Sequence, residues 1–228
     1  NKMRDKFRNP QETLEFFGVR GNETVLEITP GMGWYTEILA PLISKEGVFY
    51  VANYSLENVI PSQHFSKRYI SLLKRVDSSY RDKLKSNPKI YSEINYVTFN
   101  PKNPIFDLKE KIDVVLTFRN IHNFLDQDKS DNMFNSINKS LKEGGILGVV
   151  QHRADESLDL EFSKGYVKES FIIDQIESHG FELVEKSNIN SNPKDLKNYD
   201  RGVWTLPPRL VEGEKNKTQY LSIGESDR

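Results

Sequence analysis

The chain has 228 residues, of which 36% are hydrophobic and 29% are charged, and its formal net charge is -1. A length of this order suits one large domain with a sizeable core, and the balanced charge gives no overall field that would select nucleic acid or an anionic membrane. The sequence contains no cysteine, which excludes disulfides, thiolate catalysis and cysteine-ligated zinc.

Short apolar runs alternate along the chain with segments of helical periodicity. An N-terminal helical segment is predicted within residues 1–20, and further helices are predicted within 33–43, 56–90, 126–142 and 165–180. Strands are predicted at 24–28, 47–53, 94–100, 112–118, 146–152 and 181–189, with a weaker candidate at 218–223. The rest of the C-terminal region, 190–228, is predicted as loop because it is rich in Pro, Gly and Asp.

This alternation predicts one α/β domain over residues 1–228. The expected architecture is a doubly wound, mostly parallel sheet of Rossmann-like type, covered by helices on both faces. Ligands of such sheets bind at the carboxyl ends of the strands. Polar residues that directly follow the predicted strands are therefore the candidates for a functional site.

A glycine-containing turn follows the first predicted strand, in the segment "TVLEITPGMGWYTEIL". Glycine lets the backbone approach a ligand closely, and the N-terminus of the next helix suits an anionic group. A nicotinamide-dependent oxidoreductase would show G-x-G-x-x-G here, but position 36, three residues after Gly33, is threonine. The turn instead follows the pattern E-x-G-x-G-x-G, with Thr29 in the place of the first glycine.

Several segments together resemble a known family. "VLEITPGMGWYTEILAP" is similar to motif I of the class I S-adenosylmethionine-dependent methyltransferases, and "LKEGGIL" precedes the fifth strand at the distance expected for that fold. "LTFRNIHNF", "LKEGGILGVVQHRA", "SNINSNPKD" and "IGESDR" extend the resemblance to a bacterial family of predicted methyltransferases, over about residues 4–228. The resemblance implies S-adenosylmethionine as cofactor and methyl transfer to a small or medium-sized acceptor.

The resemblance also implies which residues bind the cofactor. Glu27 matches the acid that orients the methionine amino group, and Gly31 and Gly33 match the glycines that line the methionine and ribose portion. Asn53 and Asn100 stand where acids often bind the ribose hydroxyls and the adenine amino group. The other predicted cofactor-binding residues are Thr29, Pro30, Tyr35, Phe118, Arg119 and Asn120.

Thr29 and the two amides carry further expectations. Thr29 is predicted to keep an extended backbone, because its Cβ disfavours a positive φ. Asn53 and Asn100 lack the charge of the acids that they replace. Together the three residues motivate an alternative function, in which the chain is a degenerate domain that binds a cofactor or regulates without catalysis.

Residues at the ends of the fourth and fifth predicted strands, or just past them, are the candidates for catalysis. His122 is the first choice for a general base, and its alternative role is to fix its loop by hydrogen bonds. His152 and Arg153 are predicted to orient the substrate, with Arg153 clamping a carboxylate or phosphate or, alternatively, forming a structural ion pair. Two histidines at strand ends also allow a two-histidine-carboxylate metal set, but no sequence spacing supports it and no metal is predicted.

Residues 67–85 contain seven basic and two acidic side chains. A solvated helix face is the preferred interpretation, and the alternatives are a basic patch over the mouth of a substrate site and a patch that binds nucleic acid. The predicted partner is a small-molecule substrate, and the oligomeric state cannot be predicted.

No apolar run approaches the roughly 18 residues of a membrane-spanning helix, and the opening "NKMRDKFRNP" lacks the apolar core of a secretion signal. These features predict a cytoplasmic protein. The first residue is not methionine, so a leader that was removed, and hence export, stays open as an alternative.

Overall fold

The computed structural model describes residues 2–43, 46–57, 59–62, 65–126, 130–159 and 161–228. The chain divides into two compact units. Unit 1 consists of Asn1–Leu14, Arg119–Asp131 and Val150–Arg228, and unit 2 consists of Glu15–Phe118 and Asn132–Val149. The single domain expected from the sequence stays a prediction.

A sheet forms the centre of unit 2. Its strands among the described residues are β1 (Thr24–Ile28), β2 (Val48–Tyr54), β3 (Ile94–Phe99), β4 (Ile112–Phe118) and β5 (Leu141–Val150), in the order β3-β2-β1-β4-β5. β1 pairs in parallel with β2 and β4, and β2 pairs in parallel with β3. The strand order reverses between β1 and β4, which makes this edge the switch point where open α/β sheets bind ligands.

The described α-helices are α1 (Asp5–Arg8), α2 (Pro10–Phe16), α3 (Thr36–Ile43), α4 (Lys67–Ser86), α5 (Pro88–Tyr91), α6 (Ile121–Asp126), α7 (Ser130–Ser140), α8 (Glu169–Glu177) and α9 (Lys217–Ile223). Short 3-10 helices occupy Lys2–Arg4, Phe162–Lys164 and Gly202–Thr205. None of the helices in the described ranges has both the length and the apolar character required to cross a membrane.

The strands of the central sheet agree with the sequence prediction. β1 is buried along its whole length and β4 along nearly all of it, as expected for β-branched apolar runs in a parallel sheet. Their predicted bounds match the structure, whereas β2 is shifted by one residue and β3 ends one residue earlier than predicted. β5 begins earlier than predicted and ends at Val150, so His152 lies beyond the strand. The predicted α/β fold class is confirmed.

Two strand predictions near the C-terminus are wrong. Residues 181–189 form no strand, and Val184 within them is 82% exposed. A strand needs a neighbour for its backbone hydrogen bonds, and in the part of the chain that is described no segment pairs with this one. The candidate at 218–223 lies in α9, where the helical turn buries Tyr220.

Candidate functional site

The carboxyl ends of β1, β2 and β4 lie level at one edge of the sheet in unit 2. The last residue of β1 is in register with the residue before Asn53 in β2 and with the residue before Phe118 in β4. Thr29, directly beyond β1, therefore stands level with Asn53 near the end of β2 and with Phe118 at the end of β4. The sheet brings these three predicted cofactor-binding residues together.

Thr29 adopts a left-handed backbone conformation with a φ of 49°, so the prediction of an extended backbone is wrong. Its backbone N–H donates to the carbonyl oxygen of Ala52 at 2.8 Å, which ties the start of the turn to β2. A non-glycine residue in this conformation costs on the order of 1–2 kcal/mol. Tertiary hydrogen bonding therefore imposes on Thr29 the geometry that a glycine would adopt freely.

The two glycines of the turn have different surroundings. Their φ values are 59° at Gly31 and 71° at Gly33, and the backbone N–H of Gly33 donates to the carbonyl oxygen of Pro30 at 2.9 Å. A Cβ at Gly31 would meet no atom within 4 Å, whereas a Cβ at Gly33 would lie 2.6 Å from the ring of Tyr80. Gly31 therefore leaves the backbone open to a ligand, and Gly33 makes room for a side chain of α4.

Glu27 places a buried carboxylate at the end of β1, where it is 1% exposed. The Thr36 hydroxyl donates to Glu27 Oε2 at 2.6 Å, and the Tyr80 hydroxyl donates to Thr36 Oγ1 at 3.2 Å. Burial, followed by the charge of Glu27, raises the pKa of Tyr80, so this tyrosine stays a neutral donor. The two hydroxyls fix the carboxylate at the ligand edge of the sheet.

Asn53 is directed toward α4. Its Nδ2 donates to Asp77 Oδ1 at 2.9 Å, and its Oδ1 accepts the backbone N–H of Tyr54 at 3.0 Å. Asp77 also accepts the Tyr96 hydroxyl and, at 2.8 Å, the Nε of Arg81. An amide therefore stands at the strand end, and the nearest carboxylate lies behind it on the helix.

One face of α4 contacts this whole region, which the sequence analysis missed. Asp77, Tyr80 and Lys83 recur every third residue, so they lie along one side of the helix. Lys83 Nζ donates to the carbonyl oxygen of Met32 at 2.6 Å and forms an ion pair with Glu37 at 2.6 Å. The three-residue spacing of these side chains was the available sequence signal, but the basic composition of the segment favoured a solvated helix face.

Aromatic rings close the site beside β4. Tyr35 and Phe118 stack with ring centroids 3.5 Å apart and planes 7° from parallel, and Trp34 packs edge-on against Tyr35. Asn100, in contrast, is exposed one residue beyond β3, and its Oδ1 accepts the backbone N–H of Lys102 at 2.8 Å. Asn100 thus stands two strands away from β1, engaged in a local turn.

The remaining candidates, Arg119, Asn120, His122, His152 and Arg153, all belong to unit 1. Arg119 has a φ of 63°, and its backbone N–H donates to the carbonyl oxygen of Val150 at 2.6 Å. The carbonyl oxygen of Asn120 accepts the backbone N–H groups of residues 123 and 124. These bonds define the turn that leads into α6.

His122 lies in α6 and is 2% exposed. Its Nδ1 is 3.2 Å from Nε2 and 3.4 Å from Oε1 of the Gln151 side chain. Burial lowers the pKa of His122 to about 4, and the charge of Arg119 adds to this shift. Its Nε2 is buried and has no hydrogen-bond partner among the described residues.

His152 lies beside His122, with ring centroids 5.8 Å apart. Its Nδ1 is 2.6 Å from the Oγ of Ser226. Burial, followed by the neighbouring His122 and Arg228, lowers its pKa well below the ordinary value. The ring centroid of Trp204 lies 5.7 Å from that of His122 and 6.5 Å from that of His152. The structure therefore gathers two neutral histidines against one indole.

Arg153 makes several contacts with protein groups. Its Nη1 donates to Asn188 Oδ1 at 2.7 Å, and its Nη2 donates to the carbonyl oxygen of Arg228 at 2.9 Å. The carboxylates of Glu169 and Asp227 lie 3.7 and 3.9 Å from the guanidinium. These contacts correspond to the structural alternative, and the substrate clamp stays a prediction.

A cavity of about 350 Å³ in unit 1 is lined by the polar residues Asn9, Asn190 and Asn192, among others. Its lining includes neither His122 nor Arg153, and the Nδ2 of Asn192 already donates to the carbonyl oxygen of Ile223 at 2.9 Å.

The described ranges contain no group of three His, Asp or Glu side chains able to hold a metal ion, so the two-histidine metal alternative lacks a third ligand there.

Solved structures of other proteins share this fold. A SAM-dependent methyltransferase from Aquifex aeolicus superposes with a TM-score of 0.59 at 12% identity, over 81% of this chain and 86% of that chain. The glycopeptide N-methyltransferase MtfA complexed with S-adenosyl-L-homocysteine gives 0.52 at 13% identity, over 78% of this chain and 79% of that chain. The [4+2]-cyclase SpnF gives 0.55 at 14% identity, over 78% of this chain and 57% of that chain.

No protein-family model matches the sequence, and no curated protein matches it either. The structural likeness establishes the fold found in SAM-dependent methyltransferases, as predicted. The presence of a cyclase among these structures illustrates that the fold alone does not fix the reaction.

Proposed function

We propose that this protein transfers a methyl group from S-adenosylmethionine to a small or medium-sized acceptor. The observation that carries the proposal is the turn after β1, which combines the buried carboxylate of Glu27 with an open backbone at Gly31. This turn lies at the switch point of the sheet, where such folds bind ligands. The resemblance of the turn to motif I supports the same cofactor.

The residues of unit 2 fit the groups of this cofactor. Glu27 would pair with the methionine ammonium, Gly31 would admit the methionine portion close to the backbone, and Asn53 would lie beside the ribose. When bound, the cofactor supplies a methyl group that its sulfonium has already activated. The protein therefore contributes mainly by aligning the acceptor and excluding water.

The acceptor is assigned to unit 1, at His122, His152 and Arg153. Two neutral histidines beside an indole suit a small organic molecule, which is also the predicted kind of partner.

A non-catalytic cofactor-binding domain is the second candidate. It is favoured by Asn53, which stands at the position where an acid would bind both ribose hydroxyls. The amide of Asn53 instead donates a hydrogen bond to Asp77. A nicotinamide-dependent oxidoreductase is disfavoured, because position 36 carries a threonine bonded to Glu27 in place of the third glycine.

Calorimetric titration with S-adenosylmethionine, S-adenosylhomocysteine and NADH tests the proposal. We expect micromolar binding of the first two ligands and none of NADH. Gly31→Leu should abolish binding while the fold is kept. Gly213→Leu is the matched control, since Gly213 also has a positive φ and open space around its Cβ position.

Equal binding by both glycine variants would remove the turn from the site. Binding of the methyl donor without turnover across a broad panel of acceptors would favour the non-catalytic candidate.

A further inference from the structure

The side chain of Gln151 has a defined orientation in unit 1. One of its amide atoms lies 2.7 Å from the carbonyl oxygen of Gly165. A carbonyl oxygen only accepts hydrogen bonds, so the atom that faces it is the amide nitrogen. The same nitrogen carries a second N–H and lies 3.2 Å from Nδ1 of His122, closer than the amide oxygen at 3.4 Å.

This orientation sets the tautomer of His122. The Nδ1 atom accepts the second N–H of Gln151, so the proton of the neutral ring lies on Nε2. The ring is neutral because it is buried. His122 therefore presents a donor at Nε2, and it has no lone pair there with which to act as a base.

The Nε2–H group of His122 is an exception to the usual pairing of buried polar atoms. It is buried without a partner among the residues that the structure describes, and so is the hydroxyl of Thr205. A buried donor left unpaired costs on the order of 1–3 kcal/mol, and such a group calls for an explanation. The ring of His122 contacts the ring of Trp204, and Thr205 directly follows Trp204 in the sequence.

The charges of two arginines act on the two histidine rings. Arg119 acts on both His122 and His152, and Arg228 acts on His152. Arg119 is the arginine whose charge acts on both rings. A donor in such a field suits an anionic oxygen better than a neutral one.

We infer that Nε2–H of His122 binds an anionic oxygen of the ligand, and that Gln151 sets this role by fixing the tautomer. The aromatic neighbours Trp204 and His152 favour a small planar carboxylate. The identity of this ligand as the methyl acceptor rests on the proposed function. An oxygen that is already ionised needs no proton removed before it reacts, so the acceptor requires no general base at position 122.

The first test reads the tautomer directly. In the full chain with ¹⁵N-labelled histidine, long-range ¹H–¹⁵N correlations distinguish a protonated ring nitrogen from a bare one, and His122→Gln identifies the signals of His122. We expect Nε2 to carry the proton at neutral pH. Gln151→Glu should move the proton to Nδ1, because a carboxylate only accepts. A wild-type ring that is bare at Nε2 overturns the inference.

The second test measures affinity for benzoate by calorimetry, with benzamide as the neutral control. His122→Met removes the donor at similar volume, and His122→Gln keeps an N–H near the position of Nε2. We expect the wild type and His122→Gln to prefer benzoate over benzamide, and His122→Met to bind benzoate about tenfold more weakly or worse. Circular dichroism checks that each variant is folded.

Any one of three results overturns the inference. The wild type and His122→Met bind benzoate equally, the wild type does not prefer benzoate over benzamide, or the wild type does not bind benzoate. Neither test contains S-adenosylmethionine. Failure of the cofactor titration with intact benzoate binding would therefore count against the proposed function alone, and the reverse result would count against this inference alone.

Discussion

At the scale of single residues, Thr29 carries backbone strain that glycine would not. Thr29→Gly removes roughly 1–2 kcal/mol of left-handed strain but adds roughly 0.5–1 kcal/mol of backbone freedom to the unfolded chain. We expect the free energy of unfolding to stay within about 1 kcal/mol of the wild type, as measured by urea denaturation. The affinity for S-adenosylmethionine should stay within a few-fold, since the turn already has glycine geometry.

Thr29→Ala is the control for this substitution, because it keeps the Cβ and removes the hydroxyl. A large loss of affinity in both variants would show that the hydroxyl itself contacts the ligand. Such a result would contradict the view that only the backbone of Thr29 matters to the turn.

The glycines at 31 and 33 should differ in their tolerance of a side chain. Gly31→Ala meets open space, so only its positive φ opposes the change, at a cost of roughly 1–2 kcal/mol. Gly33→Ala adds a clash with the Tyr80 ring, and overpacking of this kind costs typically a further 1–3 kcal/mol. Urea denaturation of the two variants compares these costs.

A double-mutant cycle isolates the clash at position 33. Tyr80→Leu should recover part of the stability that Gly33→Ala loses, whereas the effects of Gly31→Ala and Tyr80→Leu should be nearly additive. Additive losses at position 33 would show that Tyr80 moves away without cost.

At the scale of elements, α4 acts on the turn after β1 through Asp77, Tyr80 and Lys83. Lys83→Met removes the bond to the carbonyl oxygen of Met32 and the ion pair with Glu37. Because both groups are partly exposed, we expect global stability to fall by less than about 1 kcal/mol. The amides of the turn should nevertheless exchange faster, since one of its fixed carbonyls is released.

Hydrogen exchange measured by mass spectrometry on peptides that cover residues 29–36 tests this expectation. Lys85→Met, which changes an exposed lysine of the same helix, is the matched control. Unchanged exchange in Lys83→Met would mean that α4 does not hold the turn.

Elements could be predicted from sequence where the pattern required no distant partner. β1 and β4 are continuous apolar runs that any covered parallel sheet would bury, and their predicted bounds hold. The segment 181–189 also begins with apolar residues, at Phe181, Leu183 and Val184, but a strand exists only beside another strand. Likewise, nothing local shows that Tyr220 is buried by a helical turn in α9.

At the scale of the whole molecule, the burial of His122 predicts sensitivity to acid. Its pKa is about 4 in the folded chain against an ordinary 6.5, so as the pH falls the unfolded chain binds the proton first. The contribution of the neutral ring is intact above about pH 6.5 and is lost progressively toward about pH 4, by roughly 3 kcal/mol in total. His152 acts in the same direction.

Asp195 opposes this trend, because burial raises its pKa and the folded chain then holds that proton more readily. Urea denaturation at about pH 7 and about pH 5 measures the balance. His122→Gln should lose less stability than the wild type over this interval. Equal losses would mean that His122 is not neutral and buried in solution.

The site could be predicted only where a motif names its residues. Glu27 and Gly31 followed from the pattern of the turn. Tyr80, Gln151 and Thr205 did not, because their roles depend on contacts with residues that the chain brings close only after folding. The same limit explains Thr29, since its hydrogen bond to β2 overrides the local preference of its side chain.

The two tryptophans of the chain are distributed one to each unit. Trp34 packs against Tyr35 beside the turn after β1, and Trp204 packs against His122 and His152. Their intrinsic fluorescence therefore monitors the two units separately. In Trp204→Phe the emission reports on the turn after β1, and in Trp34→Phe it reports on the histidines, so the unlabelled protein carries an optical probe for each group of candidate residues.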